Sequence, residues 1–238
     1  MDIYEIIKQR HSVRQYEDRK IEPEKRELLL KELDQINREG HLHIQILFDE
    51  PKCFHSIMAH YGKFSGVQNY IALVGTKAPD LEEKCGYYGE QLVLLAQSLA
   101  LNTCWVAMTH GKSAAEILKG EKQVCLIALG YGKTQGVAHK NKSIEEVTEL
   151  NGSMPEWFQK GMEAALLAPT AMNQQKFKFT LSDEKGSAHV SGDRCTQKER
   201  EEFDDVVYAF PNGMGFYIKT DLGIVKYHFE AVTGRKVL

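Results

Sequence analysis

Residues 10 to 16 read Arg-His-Ser-Val-Arg-Gln-Tyr, placing two permanent cations and a hydroxyl at alternate positions, Arg10, Ser12 and Arg14. All three are hydrogen-bond donors, the chemistry that suits a phosphate and its polar neighbour. A solvated helix end is the plainer reading of this motif by itself, because short basic motifs are frequent by accident. A second basic cluster, His-Lys-Asn-Lys at 139–142, follows a glycine-rich turn. Lys140 and Lys142 are two apart, so in an extended segment both ammonium groups point to one side and can reach one anion; a solvated loop is the alternative. The third stretch is Ala-Pro-Thr-Ala-Met-Asn-Gln-Gln-Lys-Phe-Lys-Phe, 168–179. Pro169 ends a helix, Thr170 and Asn173 sit in the turn after it, and Gln174 and Gln175 lead into a strand. Side-chain amides carry donor and acceptor side by side, which suits the edge of a heterocycle; capping of the neighbouring element accounts for them equally.

Other reactive residue types point to less. His41, His43, His55 and His60 are close in sequence but lack a tight ligand motif, so no metal site is expected. The five cysteines (53, 85, 104, 125 and 195) include no Cys-x-x-Cys pair. They read as reduced thiols of a cytoplasmic protein, not a disulfide framework. Phe177 and Phe179 alternate with lysines, a pattern better explained by a half-buried strand than by base stacking.

The elements that must position these residues come from a chain of 238 residues with 42% hydrophobic and 26% charged residues and a formal charge of −3. That balance describes an ordinary globular protein without the basic excess of nucleic-acid binders. The amphipathic start, Met-Asp-Ile-Tyr-Glu-Ile-Ile-Lys, lacks the apolar core of a signal peptide, so secretion by that route is not expected. The most apolar run, 92–108, is interrupted by Gln97, Ser98, Asn102 and Thr103, and reads as buried helix and strand, not as a membrane span.

Periodicity predicts a short N-terminal helix, a helix from Pro23 that Gly40 closes, strands over 42–48 and 70–75, and a buried helix over 87–101. Core strands over 103–108 and 123–131 follow, separated by a helical piece at 113–119. The pattern then restarts. Pro155 opens a helix–loop–strand succession like that from Pro23, 132 positions earlier; Gly66-Val-Gln-Asn-Tyr-Ile parallels Gly213-Met-Gly-Phe-Tyr-Ile; and the helix carrying Gly89 parallels that carrying Gly223. This suggests a diverged duplication, 1–150 and 151–238, forming one compact unit that imitates a two-fold homodimer inside one polypeptide.

Together these residues resemble the nitroreductase family of flavin mononucleotide (FMN) enzymes over most of the chain. The resemblance rests on Arg10-x-Ser12-x-Arg14, on Ala168-Pro169-Thr170 with Asn173 and Gln175, on the buried helix ending near Leu-Asn-Thr-Cys-Trp-Val-Ala-Met, and on Gly130-Tyr131 followed by basic residues. It implies an α+β, nitroreductase-like fold with mainly antiparallel sheets flanked by helices. The Ala-Pro stretch usually follows soon after the arginine segment; here it lies in the second half, as a fused pseudo-dimer requires, and a single-chain subgroup with this order is the closest likeness. By resemblance, Arg10, His11 and Ser12 hold the phosphate or ribityl end with Lys140 and Lys142. Arg14, and more weakly Lys63, sit near the pyrimidine edge. Val106, Ala107, Met108 and Thr109 offer backbone groups to the ring, and Pro169, Thr170, Ala171 and Asn173 line its other side. Two departures stand out: Asn-Gln-Gln-Lys-Phe stands at 173–177 where the family often has Gln-Pro-Trp, and the family's acidic-glycine pair is not evident after the strand at 103–108.

The implied activity is FMN-dependent transfer of hydride from NADH or NADPH to a nitro-compound, quinone or similar acceptor, with no catalytic protein nucleophile, because the flavin carries the chemistry. A flavin-binding protein with a storage, sensing or structural role is the alternative. One flavin per chain and a monomer acting as a pseudo-dimer are expected, without nucleic-acid or membrane partners.

Overall fold

The computed structural model describes residues 2–150, 152–183 and 205–238. Cys195 therefore lies outside the described residues, while the other four cysteines are buried free thiols. Among the described residues six α-helices, α1 (Ile3–Gln9), α2 (Pro23–Gly40), α3 (Ile57–Tyr61), α4 (Leu81–Ser98), α5 (Glu156–Leu166) and α6 (Ile218–Thr233), accompany seven strands. An antiparallel sheet has the order β1 (Gln45–Leu47), β2 (Asn69–Thr76), β4 (Glu121–Gly130), β3 (Asn102–Val106). A smaller sheet places β6 (Phe177–Asp183) between β5 (Thr148–Glu149), which is parallel to it, and β7 (Asp205–Pro211), which is antiparallel. The class is α+β with largely antiparallel sheets.

Strand alternation assigns the cores. On β2, Ile71 and Leu73 face Leu29, Leu33 and Ile36 of α2 and Leu92, Val93 and Ala96 of α4, whereas Tyr70, Ala72 and Val74 face a second core with Val13, Tyr16, Phe54 and Phe64. That is the two-residue period of a sheet covered on both sides. In the smaller sheet Phe177 and Phe179 both turn inward onto Phe158 of α5 and Phe229 of α6, and Phe179 stacks on Phe229 at 5.1 Å. The alternating lysines lie on the other face, so this stretch is strand, as its pattern suggested.

Two expectations fail. Residues 113–118 are not helical. Their backbone donors go to side chains of neighbouring segments: Ala114 N to Tyr70 Oη, Glu116 N to Gln45 Oε1 and Leu118 N to Glu121 Oε2. With those bonds made, the segment has no need of an internal helical ladder. The stretch Gly213–Ile218, matched in sequence to the start of β2, instead forms the turn into α6, so the strand preceding α6 is β7.

Helices α4 and α6 make the central contact. A Cβ on Gly86 would stand 2.0 Å from the Thr220 carbonyl oxygen, and one on Gly223 would stand 2.0 Å from the Glu83 carbonyl oxygen. Backbone meets backbone here, which only glycine permits. Each contact repeats the other at a constant spacing of 137 positions, 83 to 220 and 86 to 223. Gly86, not Gly89, is thus the residue that faces Gly223; a Cβ on Gly89 would instead meet Trp105 and Leu73. We expect Gly223→Ala to destabilise the fold by roughly 1–3 kcal/mol through overpacking; thermal unfolding measures it, and an unchanged midpoint would contradict the close approach.

Candidate functional site

The N-terminal segment after α1 runs beside β3, with Ser12 bridged to Thr103 and Val13 N donating to Thr103 O. Val13 enters the core, while Ser12 and Arg14, two apart on an extended segment, both line a cavity of about 290 Å³. Val106, Ala107, Met108 and Thr109 at the end of β3 line it too, with Pro169, Thr170 and Ala171 from the turn after α5. Three separate stretches picked out in the sequence thus meet at one pocket. Its remaining walls are mostly apolar or aromatic: Phe64, Trp105, Met172, Phe216, Tyr217 and Ile224.

The other expected residues stand apart from the lining. Arg10 is 3% exposed, with Nε 3.9 Å from Glu90 Oε1 and without a hydrogen-bond partner. Burial pulls its pKa down against the opposing pull of Glu90. His11 is half-buried at a small cavity shared with Arg10, Ala138 and His139, and burial followed by the Arg10 charge lowers its pKa. The two basic segments do therefore meet, through His139 and not through the lysines.

Lys140 is exposed, and its carbonyl accepts from Asn173 Nδ2 and Gln175 Nε2, both at 2.8 Å. Lys142 donates from Nζ to Gln175 O at 2.8 Å and from its backbone N to Gln175 Oε1 at 2.9 Å. Asn173 and Gln175 thus clamp the 140–142 segment to the turn after α5, and Gln175 has no donor left for a heterocycle. Lys63 is exposed beside Phe64, outside the lining.

Beneath the pocket, Glu90 of α4 is a buried hub. Its Oε2 accepts from Trp105 Nε1 at 2.9 Å and its Oε1 lies 2.9 Å from His228 Nε2. His228 Nδ1 lies 3.0 Å from Ala164 O, so both ring nitrogens face acceptors. Trp105 carries this polar core to the pocket wall.

The sequence reading missed two neighbours on the first turn of α6, Thr220 and Asp221, which line the pocket at 2% and 5% exposure. Thr220 Oγ1 is buried without a hydrogen-bond partner. Asp221 accepts from Ala171 N at 2.9 Å and from Gln174 Nε2 at 2.7 Å, so it fixes the turn after α5. Burial pushes its carboxyl up to about 7, against the lowering effect of those two bonds. The missed signal was weak: an acid in the first turn of a helix is ordinarily a dipole partner. Cys125, also in the lining, has its thiol pKa raised by burial and is no nucleophile. Among the described residues no group of three or more His, Cys, Asp or Glu could hold a metal ion, and no helix is long and apolar enough to cross a membrane.

A family model described as "Putative TM nitroreductase" matches residues 2–233. Among solved structures, the chain is similar to a "putative nitroreductase" from Thermotoga maritima, at 21% identity and TM-score 0.58, over 99% of this chain and 87% of that one. It is also similar to a "putative nitroreductase in complex with FMN" from Desulfovibrio desulfuricans, at 17% identity and TM-score 0.51, over 64% of this chain and 98% of that one. At these identities the likeness is one of fold. No curated protein sequence matches the chain.

The Asp221 carboxyl makes stability depend on pH with a definite sign. Its folded pKa, about 7, lies above its unfolded value of 3.8, so its contribution is complete below about pH 4 and is lost as pH rises to about 7. The loss is at most about 4 kcal/mol. Cys125 is electrostatically linked to Asp221, and Cys85, Glu82 and Tyr217 are linked to Cys125, while Arg14 shares the pocket. We expect the stability difference between wild type and Asp221→Asn, from denaturant titrations at pH 4.5 to 8, to move in favour of the variant as pH rises; a constant difference would refute the raised pKa.

Proposed function

Because the chain belongs to the "Putative TM nitroreductase" family, we propose that its pocket holds FMN and that the protein is an oxidoreductase, passing hydride from NADH or NADPH to a nitro-compound, quinone or similar acceptor. The observation that carries this reading is the convergence of Ser12 and Arg14, residues 106–109 and residues 169–171 on one cavity. The lining fits a flat heterocycle. Phe64, Trp105 and Ile224 offer apolar walls, and the buried Thr220 hydroxyl is an unspent polar group. Arg14 makes no ion pair among the described residues, which leaves its charge available to an anion.

In this reading Ser12 and Arg14 bind the polar, anionic part of the cofactor, which moves Arg14 from the pyrimidine edge that the resemblance implies, because Arg10, Lys140 and Lys142 stand outside the lining. Exposed Lys140 adds charge at longer range, and Arg10 acts from below as a buried positive charge instead of a direct ligand. Pro169, Thr170 and Ala171, fixed by Asp221, close the opposite side and exclude water. Trp105, held by Glu90, sets the wall that the ring packs on. FMN, when bound, supplies the two-electron chemistry, so the protein needs orientation and electrostatics but no nucleophile.

We also propose that 1–150 and 151–238 are diverged copies. Their support is the succession β1–β2–α4 against β6–β7–α6 and the 137-residue spacing of the reciprocal glycine contacts. At the same spacing, Tyr217, Thr220, Asp221 and Ile224 of the pocket correspond to Asp80, Glu83, Lys84 and Tyr87, which line a second cleft. Ion pairs fill that cleft: Lys84–Asp80 at 2.8 Å, Lys226–Glu83 at 2.6 Å and Lys236–Glu230 at 3.2 Å. A self-satisfied charge network has no reason to admit a flat heterocycle. One flavin per chain, in a monomer that acts as its own dimer, is the consequence.

The purified protein is expected to take up one equivalent of FMN, and its anaerobic visible spectrum to bleach with NADH or NADPH and recover with a quinone. Arg14→Ala should weaken FMN binding about tenfold or more, as loss of a charge-assisted contact implies, and weaken riboflavin, which lacks the phosphate, much less. Failure to bind flavin, or two equivalents per chain, would overturn the proposal.

A further inference from the structure

Helix α6 begins without a cap. Its N-cap residue, Tyr217, is in the left-handed conformation with φ 59° and ψ 21°, and its side chain accepts nothing from the first turn. The first four N–H groups of a helix have no partner within it. Asp221 N donates to Tyr217 O at 2.9 Å, which leaves the N–H groups of Ile218, Lys219 and Thr220 with no acceptor among the described residues. The carboxyl of this turn does not cap them either, because Asp221 spends its two oxygens on Ala171 N and Gln174 Nε2. The positive end of a 16-residue helix thus reaches the pocket through Tyr217, Thr220 and Asp221, with three donors uncommitted.

Thr220 also carries a hydroxyl that nothing satisfies. The residue is 2% exposed and lines the pocket, and its Oγ1 is buried without a hydrogen-bond partner. A helical threonine ordinarily donates to the carbonyl three or four positions back. Thr233 of the same helix does so, to Phe229 O at 2.8 Å. For Thr220 the carbonyl four back is Phe216 O, which already accepts from Gln174 Nε2 at 2.8 Å. The backbone here is fixed by the contact with α4, since a Cβ on Gly86 would stand 2.0 Å from Thr220 O. A buried hydroxyl without a partner destabilises the fold, and valine would fill the same space without that penalty.

Three N–H donors, a hydroxyl with its proton uncommitted and the helix dipole suit an oxygen or nitrogen that carries negative charge. With Ser12 and Arg14 engaged by the phosphate end, the part of the cofactor left without a partner is the carbonyl-bearing edge of the ring, where charge collects on reduction. We propose that the first turn of α6, through Thr220 Oγ1 and the free N–H groups of residues 218–220, hydrogen-bonds that edge of the isoalloxazine and holds the reduced, anionic flavin more tightly than the oxidised one. The proposal rests on reading the cavity as the FMN site. By linkage, tighter binding of the reduced form raises the reduction potential of the bound flavin, so Thr220 sets how readily the flavin is reduced.

The test compares wild type, Thr220→Val and Thr220→Ser by anaerobic titration with oxidised and dithionite-reduced FMN and riboflavin, and by thermal unfolding of the flavin-free protein. Valine keeps the shape and removes the hydroxyl; serine keeps the hydroxyl. Thr220→Val should weaken reduced FMN about tenfold more than oxidised FMN, a fall of about 30 mV in the two-electron potential of the bound flavin. Riboflavin should lose as much as FMN, because the group concerned is on the ring and not on the phosphate. Thr220→Ser should keep the wild-type ratio of reduced to oxidised binding. The flavin-free midpoint of Thr220→Val should rise, since no unpaired hydroxyl is left buried. A residue that only completes the fold would lower the midpoint and leave the ratio alone. An unchanged ratio in Thr220→Val, an equal change in Thr220→Ser or a lowered flavin-free midpoint would overturn the assignment of α6 while leaving flavin binding intact. A protein that takes up neither flavin would refute the reading of the cavity as an FMN site, and this assignment with it.

Discussion

Everything in this molecule is arranged about the place where α4 and α6 touch backbone to backbone. Gly86 and Gly223 remove the side chains that would otherwise set the helices a typical 8–10 Å apart. The close crossing brings the first turn of α6, with Thr220 and Asp221, up to the end of β3 and the segment of Ser12 and Arg14. The pocket is therefore a property of the seam. Neither stretch of chain forms it alone, and a side chain at either glycine would act on the pocket through the spacing of its walls.

The seam is also where the polar cost is concentrated. Glu90 of α4 is fully buried and gathers Trp105, His228 and Arg10 from three other elements. A buried carboxylate with good partners does not stabilise more than an apolar replacement would, but losing one partner leaves a charge stranded. Such a hub specifies which arrangement forms. It fixes the indole that walls the pocket and sets the buried Arg10 guanidinium 3.9 Å from the same carboxyl.

Much of this was legible in the residues, and the gaps have physical causes. Strand and helix periods identified β2, β3, β4, α2, α4 and α6, because those elements bury one side or both in a regular rhythm. Residues 113–118 defeated the helical reading because side chains of Tyr70, Gln45 and Glu121 take their backbone donors, and nothing local announces Tyr70 and Gln45, which lie 44 and 71 positions away. Ser12, Arg14, 106–109 and 169–171 were found as separate motifs. Arg10 was found too, but its burial follows from Glu90, eighty positions along the chain. Asp221 and Thr220 escaped notice for the same reason: one looks like a first-turn acid and the other like a filler until the α4 crossing turns them into pocket wall.

In the turn after α5, Gln174 and Gln175 have the right chemistry to read a heterocycle edge, yet both amides are spent on the protein: Gln175 on residues 140–142, Gln174 on Phe216 and Asp221. The glutamines therefore convert a recognition loop into a brace. Among the polar groups of the pocket wall on α6, Thr220 Oγ1 has no hydrogen-bond partner and Asp221 lies within reach of protonation near neutral pH. The braced loop is free to carry Met172 outward, which a loop whose own amides had to face the ligand could not do.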